Sequence, residues 1–155
     1  MTQPAPAPAN DVDDRPEVQA FFANLRASLP QLEAILRECR SHWGYEDGVY
    51  RFYHRSFKVY SLQDRTSAIV TALQSLAPER PLNPSFLAIV RDGTGITFEP
   101  EHNRRWDQVT RPIVEAFLHA LYFLEMTVRY GRELQRPPRQ LPSGWAAVLY
   151  LYNLR

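Results

Sequence analysis

The chain has 155 residues, 45% of them hydrophobic and 23% charged, the balance of one globular domain. Its formal charge of +1 gives no strong field to draw nucleic acid or an anionic membrane surface. The single cysteine, Cys39, excludes an internal disulfide framework and fits a reducing compartment. With no His and Asn/Asp context around it, Cys39 reads as a small buried hydrophobe.

The opening MTQPAPAPANDVDD has neither a basic segment nor an apolar core, so it does not read as a secretory signal. Alternating Pro and Ala predict an extended, solvated tail over residues 1–14, ahead of one helical domain over 15–155. Asp13 or Asp14 can cap a helix with Pro16 and Glu17 in its first turn. Val18, Phe21, Phe22 and Leu25 follow at helical spacing. Pro30 predicts a break, and the Ser28 to Gln31 spacing a new start. Leu32, Ile35, Leu36 and Cys39 then carry the pattern to about Trp43, and Gly44 to Gly48 reads as a turn.

Residues 49–76 read as the clearest amphipathic helix. One stripe holds Val49, Phe52, Val59, Leu62, Ile69, Leu73 and Leu76, and a second holds Tyr50, Tyr53, Phe57 and Tyr60. Arg51, Arg55, Lys58 and Arg65 fall on the exposed remainder. Among 18 basic residues Lys58 is the one lysine, an arginine bias of bacterial style that singles out Lys58 as a point charge.

The stretch NPSFLAIVRDGTGITF predicts a short helix, started by Asn83-Pro84 and stopped at Asp92-Gly93. A short hairpin over 86–98 is the alternative. Helical spacing resumes near Asn103 and runs through Trp106, Val109, Ile113, Phe117, Leu121, Leu124 and Val128, with a kink or restart at Pro112. It ends near Gly131 to Leu134. In the last segment Ser143 stands as an N-cap, and Trp145, Val148, Leu149, Leu151 and Tyr152 must dock on the domain. The fold class is therefore all-α: a single-domain bundle of about five helices, with the 49–76 and 112–134 helices central.

Glu115, His119 and Tyr122, four and three apart, share one helix face. A buried, unpaired carboxylate costs several kcal/mol, so a buried Glu115 needs a partner. Arg51, His54, Arg55 and Lys58 are the candidates. The expected site is a polar ligand-binding cluster between the two central helices, built from Glu115, His119, Tyr122, His54, Lys58, Tyr53 and Tyr60. Glu125 and Arg129 are spaced for an intrahelical ion pair. The expected function is a cytoplasmic helical module that binds a small molecule or a protein partner, a homodimer being one arrangement left open. No cofactor and no membrane attachment are expected.

Two enzymatic alternatives stand beside it. A metal enzyme would use Glu115, His119 and His54, with His42 and Glu46 able to complete the set, although the Glu-x-x-His repeat of di-iron bundles is missing. A ribonuclease would use Arg37 and His42. This Arg–His spacing resembles that of the small helical ribonucleases of the HEPN type, in which both residues act on the RNA backbone. The resemblance covers those two residues and the helical character, and here the pair lies early in the domain rather than late.

Overall fold

The computed structural model describes residues 11–42, 45–46, 49–50, 59–95, 106–140 and 142–154; the side chains at 41–42, 45–46, 49–50, 59–61 and 106–110 fall outside the description. The order is α1 (Pro16–His42), β1 (Tyr45–Glu46), β2 (Val49–Tyr50), α2 (Val59–Gln74), α3 (Pro84–Thr94), α4 (Trp106–Glu133) and α5 (Ser143–Leu151). The domain is an all-α bundle with five helices among the described residues, plus a two-residue antiparallel ladder pairing Tyr45 with Tyr50 and Glu46 with Val49.

Helix α4 is the hub, in contact with α1, α2, α3 and α5. Its inward residues Ile113, Phe117, Ala120, Leu121, Leu124 and Val128 are all buried, at the i, i+3/i+4 spacing of one face. Phe21, Leu25, Leu32 and Leu36 of α1, Leu62, Ile69 and Leu73 of α2, Phe86 and Val90 of α3, and Trp145 and Leu149 of α5 join them in one core. At about 25 cal/mol per Å² of buried apolar surface, this shared core is the main stabilising term.

The carbonyls at the ends of the helices are claimed by side chains from their neighbours, which fixes how the helices meet. Arg26 donates to the carbonyls of Gly131 (3.3 Å) and Leu134 (2.7 Å) at the end of α4. Asn24 donates to Leu76 O (3.0 Å) and the Tyr152 hydroxyl to Leu73 O (2.6 Å), both at the end of α2. Ion pairs add cross-links: Arg132 with Glu33 at 2.9 Å, and Arg65 with Glu38 at 2.6 Å.

Several expectations need correcting. Pro30 does not break α1, which runs unbroken to His42. Its ring is exposed, so its cost is confined to the backbone, while buried Leu25 and Leu32 on either side hold the helix to the core. Pro112 also lies inside a continuous α4, so of the kink and the restart expected there the restart does not occur. The expected helix start at Val49 is wrong. Val49 and Tyr50 are strand and α2 begins at Val59, with residues 51–58 outside the described residues. The Asp47-Gly48 pair between two aromatic and β-branched runs was the hairpin signal. Conversely, the alternative hairpin over 86–98 is a helix as far as Thr94, and 96–98 lie outside the described residues. Asn83 does cap α3, accepting from Ser85 N at 2.9 Å. Ser143 is not the cap of α5: Pro142 is, without a side-chain hydrogen bond.

Gly93 is the most instructive correction, because it does not stop α3. A β-carbon there would sit 2.4 Å from the Ala116 β-carbon and 2.7 Å from the Pro112 carbonyl oxygen. The glycine is needed where α3 crosses α4, and the helix ends two residues on at Gly95. Replacing Gly93 with Ala should therefore separate the two helices. We expect a loss of about 2–3 kcal/mol in denaturant unfolding, despite the better helix propensity of Ala; an unchanged midpoint would contradict this packing.

Candidate functional site

The last four residues of the supposed tail are part of the fold. Asp13 N donates to Pro137 O (2.9 Å), Arg139 N donates to Asp11 O (2.7 Å), and Val12 bridges Pro138. The two prolines have no N–H to give, so the strap is held through the carbonyl of Pro137 and the N–H of Arg139. Residues 11–14, expected in the tail, are thus bonded to the domain, and residues 1–10 lie outside the described residues.

Asp13 ties this strap to α1. Its carboxylate accepts from Arg15 N (3.2 Å), Arg15 Nε (3.0 Å) and Arg15 Nη2 (2.8 Å), and Gln19 Nε2 donates to Asp13 O (2.7 Å). The hydrogen-bonded Arg15 guanidinium holds the Asp13 carboxyl below the usual aspartate range. Partial burial opposes this shift, and the Arg139 charge adds to it.

Helix α5 faces the strap. Trp145 turns inward, with ring centroids 6.1 Å from Phe21, 5.9 Å from Phe22 and 6.2 Å from Tyr130. Gly144 lets the start of α5 press on Tyr130, since a β-carbon there would lie 2.6 Å from the ring. With that face committed, Ser143, Ala146, Ala147 and Tyr150 look outward at helical spacing. Strap, Arg139 and α5 enclose an open cleft of about 940 Å³. Ala146, Ala147, Leu149 and Tyr150 form its apolar floor, and Asp13, Asp14, Arg15, Arg139 and Ser143 supply its polar groups.

The cluster expected on α4 is laid out differently. Glu115 is exposed and pairs with Arg111, one turn earlier on its own helix, at 3.0 Å. His119 is exposed, and its Nδ1 lies 2.8 Å from the Glu115 carbonyl oxygen, to which it can only donate. Tyr122 is 47% exposed and stacks edge-on against Phe123. The three do share a face, as their spacing requires. The error was to take that face as buried: the run is apolar on both sides of Glu115, but α4 turns Ile113, Val114, Ala116 and Phe117 inward and Glu115 outward. Glu115 does line a smaller depression of about 360 Å³ with Ile89, Asp92 and Pro112. Tyr53, His54, Lys58 and the Tyr60 side chain lie outside the described residues.

The expected Glu125–Arg129 pair is also not formed. Arg129 bonds Glu133 at 3.3 Å and lies over the Tyr130 ring, while Glu125 turns partly inward toward Cys39, with Oε1 buried and without a hydrogen-bond partner among the described residues. Cys39 is the buried hydrophobe its setting suggested. Burial pushes its thiol up to about 11, with Arg65 opposing, so it is protonated and inert at neutral pH.

For the two alternatives, no group of three or more His, Cys, Asp or Glu among the described residues is placed to hold a metal ion. Arg37 is exposed near the end of α1, and the His42 side chain lies outside the described residues. Among the described residues no helix is long and apolar enough to cross a membrane. Comparison with known protein families, curated proteins and solved structures finds no match to this chain.

Two measurements follow. Because the folded-state pKa of Asp13 is depressed, its charge stabilises the fold at neutral pH, and that contribution fades as pH falls below about 4. Asp13→Asn should lower stability by about 1 kcal/mol between pH 6 and 7, with the gap from the parent closing toward pH 3. A gap independent of pH would show that the charge is not what matters. Glu115→Ala, by contrast, should shift the melting temperature by less than ~2 °C, because an exposed i,i+4 pair contributes only about 0.3–0.5 kcal/mol. A drop of ten degrees would return Glu115 to the core.

Proposed function

We propose that this chain is a small-ligand-binding helical domain, with its binding site in the cleft between the strap and α5. The observation carrying this reading is the cleft itself: about 940 Å³, an apolar floor and a few charged groups at its edge. Sites for organic ligands are typically ~300–1,000 Å³ and are built in this way. The cleft rests on fixed elements rather than on mobile side chains. The strap is held by two backbone hydrogen bonds and the Asp13–Arg15 pair, and α5 is anchored by Trp145 at 0% exposure.

Binding fits this site better than catalysis. Among the described residues its lining offers the hydroxyls of Ser143 and Tyr150 and neither histidine nor cysteine to activate them. Its four charged residues cancel, so it has no net pull on a polyanion.

Ala147→Phe tests the reading, because the larger side chain would project from the cleft floor. In a thermal-shift screen of small molecules, compounds that raise the melting temperature of the parent should fail to raise that of the variant, while the circular dichroism spectra of the two coincide. Hits that stabilise both equally would place binding elsewhere.

A further inference from the structure

Of the four charges in the cleft, two are already spent on each other. Asp13 and Arg15 form a two-pronged pair, with Nε–Oδ1 at 3.0 Å and Nη2–Oδ2 at 2.8 Å. Asp14 and Arg139 remain. Both are exposed, both line the cleft, and they form no ion pair with each other within 4.0 Å. Their backbones are nonetheless fixed. Asp14 sits between Asp13 and Arg15, which the strap holds in place, and Arg139 N is bonded to Asp11 O. One carboxylate and one guanidinium are thus presented to the same cavity, with the apolar floor of Ala146, Ala147, Leu149 and Tyr150 beside them.

We infer that the cleft takes a zwitterionic ligand with an apolar body, a short apolar peptide with free amino and carboxylate ends. This deepens the small-ligand reading above and rests on it. The charge pattern selects the class. A simple anion drawn to Arg139 meets repulsion from Asp14, and a simple cation drawn to Asp14 meets it from Arg139. A ligand carrying both charges answers both groups at once, and Arg139 can grip a carboxylate with two parallel N–H donors. The balanced charge of the lining gives no long-range preference for either sign. The cavity also exceeds what one amino acid fills and lies in the range of a drug-sized molecule.

The test is isothermal titration of the full chain, at low salt so that the charge contacts are not screened. The probes are three forms of alanyl-leucyl-alanine: free at both ends, acetylated at the amino end, and amidated at the carboxyl end. The free tripeptide should bind most tightly, and each capped form about fivefold more weakly, the scale of one exposed ion pair. Arg139→Gln should abolish the preference for free acid over amide and keep the preference for free amine over acetyl; Asp14→Asn should do the reverse. Capped forms that bind as tightly as the parent peptide, or variants that keep both preferences, overturn the inference. If no form binds while other compounds do so in an Ala147→Phe-sensitive way, the zwitterion is wrong and the cleft stands as a site. If nothing binds there at all, both readings fall.

Discussion

At Gly93 the backbone of α3 comes so close to α4 that a β-carbon would overlap Ala116 and the Pro112 carbonyl. This close approach fixes where α3 lies, and a chain of contacts hangs from it. The Gly93 carbonyl accepts Gln63 Nε2 at 2.9 Å, which ties α2 to the same crossing. At its other end α3 starts at Asn83, whose N–H bonds Leu151 O at 2.8 Å and whose Nδ2 lies 3.5 Å from Tyr150 O. The end of α5 is therefore set by the start of α3. The outer face of that short helix is the floor of the cleft, so a missing side chain on one helix helps to position the cleft floor on another.

The C-terminal turn closes this arrangement. Asn153 adopts φ 55°, the left-handed conformation that Asn tolerates better than most residues. The turn brings its carbonyl to Arg80 Nη1 (3.0 Å) and its Nδ2 to Pro81 O (3.0 Å). Tyr152, its phenol pushed well above its ordinary pKa by burial, spends its hydroxyl on the Leu73 carbonyl. α5 is short and nearly uniformly apolar, so side-chain periodicity alone would orient it poorly. These hydrogen bonds orient it, and they turn Ala146, Ala147 and Tyr150 toward the cleft.

The polar groups of the molecule divide accordingly. Some charged side chains work locally, in exposed pairs such as Arg111–Glu115 and Arg129–Glu133, which contribute little. The strap is different, because Asp13 is 8% exposed and satisfies both a backbone N–H and a guanidinium. The Asp13–Arg15 pair, beside the exposed Asp14 and Arg139, gives the cleft a polar edge.

Much of the fold was legible because apolar periodicity is a local property. The stripes of α1 and α4, the Asn83-Pro84 start of α3 and the need to dock Trp145 all follow from spacing within a few turns. Glu115, His119 and Tyr122 on one face were legible for the same reason. Which face points inward was not, since Glu115 has apolar neighbours on both sides and only the packing of α1, α2, α3 and α5 around α4 decides which of them are covered. Pro30 misled because a proline's local cost is read from sequence, while the burial on either side that outweighs it is not. Gly93 carried no local mark of a helix crossing, and Val12, Arg139 and Ala147, more than a hundred residues apart in part, had nothing in the sequence to join them. By itself the sequence determined most of the helical segments and their apolar stripes, because those depend on neighbours three and four residues away. Only the tertiary structure decided the burial of each face and the existence of the cleft, because both are set by contacts between segments distant along the chain.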